Sequence, residues 1–138
     1  KYRGIENLWG NVFQWVDGIN INEYQAWICK NPVDYASNLF ASPYQQLSYV
    51  NHTANGYISQ MGFDSVYPEF QLPISITGGA YNKYYADQYY QLTGQRVALL
   101  GGGWYIWSTA GLSYWGLGKA SGDSSVALGG RLVKKALE

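Results

Sequence analysis

The sequence predicts an α+β domain made mostly of short antiparallel strands, with long irregular loops and little helix. Three observations carry this. Fourteen tyrosines, six tryptophans and 17 glycines among 138 residues are the profile of short aromatic strands joined by glycine turns. Apolar and polar residues alternate over brief runs, as in Val12-Phe13-Gln14-Trp15-Val16, the period of a half-buried strand. No stretch sustains a helix of more than about two or three turns. The length suits one domain, residues 1–138, with a core of its own.

Residues 12–16 read as the first strand. Asp17-Gly18 then reads as a turn into Ile19-Asn20-Ile21, because glycine accepts the positive φ that tight hairpins require. Residues 25–30 form another strand, stopped by Asn31-Pro32, and residues 33–40 leave room for one helical turn. Residues 41–77 are punctuated by Pro43, Asn55-Gly56, Pro68 and Pro73 and are expected to be irregular. A connection that long needs packing of its own, with Tyr44, Tyr49, Tyr57, Met61, Phe63, Tyr67 and Phe70 as its anchors. After Gly78-Gly79 a tyrosine-rich segment leads to Arg96-Val97-Ala98-Leu99-Leu100, a buried strand. Glycines 101–103, 111, 116, 118 and 129–130 divide the remainder into short strands.

In the N-terminal segment Trp9, Phe13 and Trp15 are spaced to pack a small sheet. Asn7 and Asn11 can bond loop backbone, and Arg3 with Glu6 forms a surface pair. This segment is scaffold. Trp9 and Trp15 are expected to be buried, as is Trp104, which follows the glycine turn.

Charge and chemistry exclude several functions. Nine lysines and arginines balance nine acids, so no basic field recruits a nucleic acid. No apolar run reaches the roughly 20 residues that cross a bilayer, and no membrane insertion is expected. Cys29, the sole cysteine, excludes an internal disulfide. One histidine, His52, and one cysteine cannot close a transition-metal site. No metal or other cofactor is expected, with an oxygen-ligated calcium the one kind left open. His52 has no acidic partner in sequence, and no Gly-x-Ser-x-Gly elbow is present. Gly101-Gly102-Gly103 lacks the Lys-Ser/Thr ending of a phosphate loop. The carboxylates are scattered, so a hydrolase would need two of them to meet in a closed pocket. Binding is the better expectation, and the chain is read as a non-enzyme.

The segment GNVFQWVDG (residues 10–18) resembles the Gly-Asn-Val-Trp-Glu-Trp signature of the formylglycine-generating-enzyme branch of the C-type lectin fold. GGGW (101–104), AGLSYW (110–115) and GGRL (129–132) fit its later part. Together, YRGIENLWGNVFQWVDGINI and RVALLGGGWYIWSTAGLSYWGLGKASGDSSVALGGRL are most similar to the target proteins of diversity-generating retroelements, found in phage tails and in related bacterial and gut-virus proteins. The resemblance covers nearly the whole chain. It implies a C-type lectin fold and a receptor-binding role at a phage tail or cell surface. The partner would be a host-surface protein or glycan, and the domain a homo-oligomer, such as a trimer, in a larger assembly. It also implies that the chain is the C-terminal piece of a longer protein. The enzymatic members bind copper through a cysteine pair near their glycine-tryptophan segment, and this chain has only Cys29, far upstream. One alternative is a structural adhesin or tail module that packs its tyrosine face on neighbouring subunits; a remote one is a hydrolase.

In the resembled family, mutagenesis of adenine-containing codons varies display positions between fixed ones. Carried over by motif, Gly101, Gly102, Trp104, Ala110, Gly111, Leu112, Leu117, Gly129, Arg131 and Leu132 are framework. Gly103, Tyr105, Ile106, Ser108, Tyr114, Gly116, Gly118, Lys119, Asp123, Ser124, Ser125 and Ala127 are ligand-binding display positions. A tryptophan codon contains no adenine, which assigns Trp115 to the framework; Trp107 is kept as an exposed contact. Ser113 stands where the family often has phenylalanine. The residue types agree without the family: residues 105–127 mix tyrosine, serine and glycine much as antibody loops do.

Overall fold

The computed structural model describes residues 8–47, 50, 55–77 and 87–130. Nine strands are present among them: β1 (Phe13–Asn22), β2 (Gln25–Ile28), β3 (Gln45–Leu47), β4 (Gly56–Gly62), β5 (Leu72–Thr77), β6 (Gln88–Gln91), β7 (Gln95–Leu100), β8 (Trp115–Lys119) and β9 (Leu128–Gly129). They form one sheet in the order β3-β2-β1-β7-β8-β6-β4-β5, with β9 alongside the start of β1. The sheet curls into a half-barrel. Its pairings are antiparallel except β6–β8 and β1–β9, which are parallel. Helix among the described residues is confined to 3-10 turns, at Pro32–Asp34 and on the two sides of a kink at Trp107 within the segment Trp104–Thr109. The protein is mostly β.

Two expectations about local structure are corrected. Asp17-Gly18 makes no hairpin; β1 continues through it with a bulge. Val16 faces Ala98 and Asn20 faces Val97 on β7, so β1 carries three extra residues at this point. An odd insertion reverses which face each side chain takes. Before the bulge, Phe13 packs in one core and Val16 in another; after it, Ile19 and Ile21 join the core of Val16. Gly18 is required for the bend. Its φ is +81, and a Cβ there would lie 2.8 Å from both the Cys29 carbonyl and the Tyr35 ring.

Residues 41–77 hold three strands, β3 to β5. Their pattern is hidden because β4 shifts register against β5 on both sides of Gln60, which breaks the two-residue alternation. Pro73 is tolerated because β5 ends the strand order and has an edge needing no ladder bond. Of the expected anchors, Tyr44 is buried, Met61, Tyr67 and Phe70 pack against the core, and Phe63 is exposed. Tyr49 lies outside the described residues, as do Arg3, Glu6, Asn7, His52, Arg131, Leu132 and residues 78–86.

The first hairpin turns instead at Glu23-Tyr24. Asn22 pairs with Gln25, and the two central residues have φ of 46 and 68, the left-handed pair of a type I′ turn. Glycine and asparagine are favoured there, while other residues pay roughly 1–2 kcal/mol each for the left-handed conformation. Replacing Glu23-Tyr24 by Asn-Gly is therefore expected to stabilise the domain by about 1 kcal/mol or more, read as a raised denaturation midpoint. A lowered midpoint would show that the Tyr24 side chain contributes more than its backbone costs.

The main core lies on one face of the sheet and comprises Ile19, Ile21, Ala26, Ile28, Leu47, Val50, Ile58, Leu72, Tyr89, Ala98, Trp115 and Leu117. A smaller core of Phe13, Leu99, Tyr114 and Ala127 lies on the other face. Trp15, Ile106 and Leu128 pack against it. β8 shows the division: Trp115 and Leu117 enter the main core, while Tyr114, Gly116 and Gly118 belong to the second face. That second face carries the candidate site.

Candidate functional site

The segment from Gly101 to Ser113 lies beside the N-terminal loop and the start of β1. Gly10 N–H donates to the Gly101 carbonyl at 3.1 Å, and Trp104 N–H to the Asn11 carbonyl at 2.9 Å. Asn11 thus serves this junction through its backbone. The 3-10 segment is pinned by Ile106 N–H to the Gly103 carbonyl, Ala110 N–H to the Trp107 carbonyl, and Thr109 Oγ1 to the Ile106 carbonyl at 2.6 Å. Beyond it, Ser113 N–H donates to an Asp87 carboxylate oxygen at 2.7 Å. A Cβ on Gly111 would overlap that carboxylate. Burial raises the Asp87 pKa above the usual carboxylate range, and the bonds from Ser113 offset this only in part.

Four rings connect surface to interior. Trp104 meets Tyr105 edge-on at 5.7 Å, Tyr105 meets Phe13 at 5.7 Å, and Phe13 meets Tyr114 at 5.5 Å. Trp104 is 65% exposed and Trp107 86%. The Trp107 backbone sits at φ 51, ψ −128, a region that bulky residues avoid and that costs roughly 1–3 kcal/mol.

Burial of Trp104 and Trp9 is therefore overturned, and Trp15 is only partly buried. The space behind the glycine turn is already filled: a Cβ on Gly103 would lie 2.7 Å from the Phe13 ring. The Trp104 indole turns outward. Leu112, assigned to the framework, is exposed as well. Gly101, Gly102, Gly111, Trp115 and Leu117 are buried as framework should be, and Ala110 is half-buried.

The display positions divide into two groups. Tyr105, Trp107, Ser108, Lys119, Asp123, Ser124 and Ser125 are exposed, and Ile106 and Gly118 half-buried. Gly103, Tyr114, Gly116 and Ala127 are buried, and of these Tyr114 and Gly116 line a cavity on the second face. The cause is tertiary, since Phe13, Ile106 and Leu128 cover the second face beside Tyr114. Burial, and then the charges of Tyr105 and Tyr90, push the Tyr114 phenol up to about 12.

Below pH 10 both folded and unfolded states keep that proton, so nothing is lost. Between pH 10 and 12 only the unfolded state releases it, and stability falls as pH rises, by up to about 3 kcal/mol. Tyr114→Phe is expected to move the alkaline unfolding midpoint upward, measured by pH titration of circular dichroism. An unmoved midpoint would contradict the burial.

Between the covering segments a cavity of about 380 Å³ remains open. Gly116 and Gly118 form its floor with Tyr114 and Leu99, and Tyr105, Ile106, Lys119 and Ser125 line it from the sequence-assigned set. Gln88 and Tyr90 of β6 and Leu92 just after it complete the lining, and Tyr90 faces Gly116 across the parallel ladder. A Cβ on Gly118 would lie 2.7 Å from the Tyr90 ring, so the glycine makes room for the aromatic. Sequence reasoning did not find Phe13, Gln88, Tyr90, Leu92, Leu99 or Leu128 as cavity residues. The alternation in Gln88-Tyr89-Tyr90-Gln91 separates two faces, but only the ladder brings β6 beside β8.

Among the described residues, no cluster of three or more histidine, cysteine or acidic side chains could hold a metal ion. No helix among them is long and apolar enough to cross a membrane. Comparison with protein-family models, with curated proteins and with solved structures finds no match.

Proposed function

We propose that this chain is a ligand-binding domain of C-type lectin type, displaying a variable receptor-binding face in its C-terminal third on a phage or phage-like surface protein. Its partner is a host-surface protein or glycan, and its role is recognition rather than catalysis. One observation carries the reading: Trp104, Tyr105 and Trp107 stand exposed together on a 3-10 segment whose backbone is strained at Trp107 and held by hydrogen bonds. Exposing large aromatics beside a cavity is what recognition surfaces do, and tryptophan and tyrosine supply contact area at low entropic cost. The retroelement-target motifs support the same segment.

Changing Trp104 and Trp107 together to serine tests this. The melting temperature should move little, since exposed substitutions usually stay within about 0.5 kcal/mol each. Staining of host cells by the fluorescently labelled domain should drop at least tenfold, because interface tryptophans often contribute about 2 kcal/mol or more. Equal staining by variant and parent would put the binding face elsewhere. Conversion of a stable oligomer to monomer, with staining unchanged, would instead establish the structural adhesin module.

A further inference from the structure

The cavity beside the aromatic face has a composition that specifies a ligand. We infer that it is a subsite for a single acidic monosaccharide unit, a pyranose ring bearing a carboxylate; this rests on the receptor-binding reading and names its ligand class. Four features lead there. At about 380 Å³ the cavity is at the small end of ligand pockets, suited to one ring with its substituents. Gly116 and Gly118 carry no side chain, so the rings of Tyr114 and Tyr90 lie against the β8 backbone and, with Tyr105, give the cavity aromatic walls. Those rings suit the C–H faces of a pyranose.

The third feature is the polar complement. The Gln88 amide, the Ser125 hydroxyl and the tyrosine phenols offer more donors and acceptors than a plain aromatic acid can pair, whereas sugar hydroxyls pair with them. Ligand groups that left these polar atoms unmatched would lose affinity. The fourth is charge. Lys119 is the charged side chain of the lining, and no carboxylate lines the cavity among the described residues. Its own partner, Asp123, is 4.0 Å away with both side chains about half exposed. A pair so long and so wet holds the ammonium weakly, so a ligand carboxylate can take it.

The test is an NMR titration of the ¹⁵N-labelled domain with methyl β-D-glucuronide, run beside methyl β-D-glucoside and benzoate. Expected are saturable shifts centred on the Gly116 and Gly118 amides, with the glucuronide the tightest of the three. Lys119→Gln is a half-exposed change that leaves the fold intact; it should weaken glucuronide about tenfold, as loss of a charge-assisted bond does, while leaving the glucoside unaffected. Gly118→Val should push the Tyr90 ring, 2.7 Å from a Cβ at that position, out of the cavity wall and abolish the shifts. If that variant unfolds, the Lys119→Gln comparison decides alone. Absence of shifts at tens of millimolar, equal binding of glucoside or benzoate, or indifference to Lys119→Gln would overturn the assignment. Host-cell staining that persists without any glucuronide binding would overturn the sugar subsite and leave the receptor-binding reading standing.

Discussion

Tyr114→Ala is expected to cost about 3–5 kcal/mol, the loss typical of removing a large aromatic from a core. That is a large share of the roughly 5–15 kcal/mol that holds a domain of this size. Tyr114 is 5% exposed, packs on Phe13 at 5.5 Å and belongs to the second core with Leu99 and Ala127. Its removal would enlarge the cavity that it lines, because a sheet strand on one side and the 3-10 segment on the other cannot close over the gap. Trp107→Ala, by contrast, should stay within about 0.5 kcal/mol, since its side chain is 86% exposed. Urea unfolding of both variants measures the difference, with unchanged slopes confirming that stability alone has moved. A Tyr114→Ala loss below about 1 kcal/mol would return Tyr114 to the display face.

Gly102→Ala is the second large effect. Gly102 has φ +73, and a Cβ there would stand 2.7 Å from Ile106 Cδ1, 2.8 Å from Ala110 Cβ and 2.9 Å from Ala110 Cα. The left-handed backbone costs an alanine about 1–2 kcal/mol, and overpacking a tight site adds about 1–3 kcal/mol. The Ile106 methyl can yield, but the Ala110 backbone carries the turn and cannot move cheaply. A total of about 2–5 kcal/mol is expected, with the 3-10 segment and its tryptophans displaced. Gly122→Ala is the control: a Cβ at Gly122 meets nothing within 4 Å, so its midpoint should hardly change. Similar losses for both glycines would mean that chain flexibility, and not the local fit, sets the cost.

The difference between these two residues shows what was legible in the sequence. Gly101 and Gly102 were assigned to the framework by motif, and both have the positive φ that glycine accepts. Trp104 was assigned to the core as a framework residue that follows the glycine turn. Its exposure follows from Phe13, a residue ninety positions upstream whose ring already fills the space behind Gly103. The same contact buries Tyr114. Local backbone geometry marks where the chain must turn, whereas the exposure of each ring after the turn depends on which distant ring fills the space beside it.

The sequence by itself determined a mostly β chain with little helix, the strand at β7, and the aromatic, polar and glycine-rich character of the segment after residue 104. These follow from alternation, composition and turn residues, which act over a few positions. Tertiary structure alone decided that Asp17-Gly18 bends a strand instead of ending it, since the bulge is fixed by pairing with β7. It alone placed Tyr90 beside Gly116 through a parallel ladder that spans 26 positions. It also made an open cavity on the second face of the sheet, with Tyr114 in its wall and Trp107 outside. Period-two alternation tells which residues share a face of a strand; only packing between distant segments decides whether that face meets water, a core or a ligand.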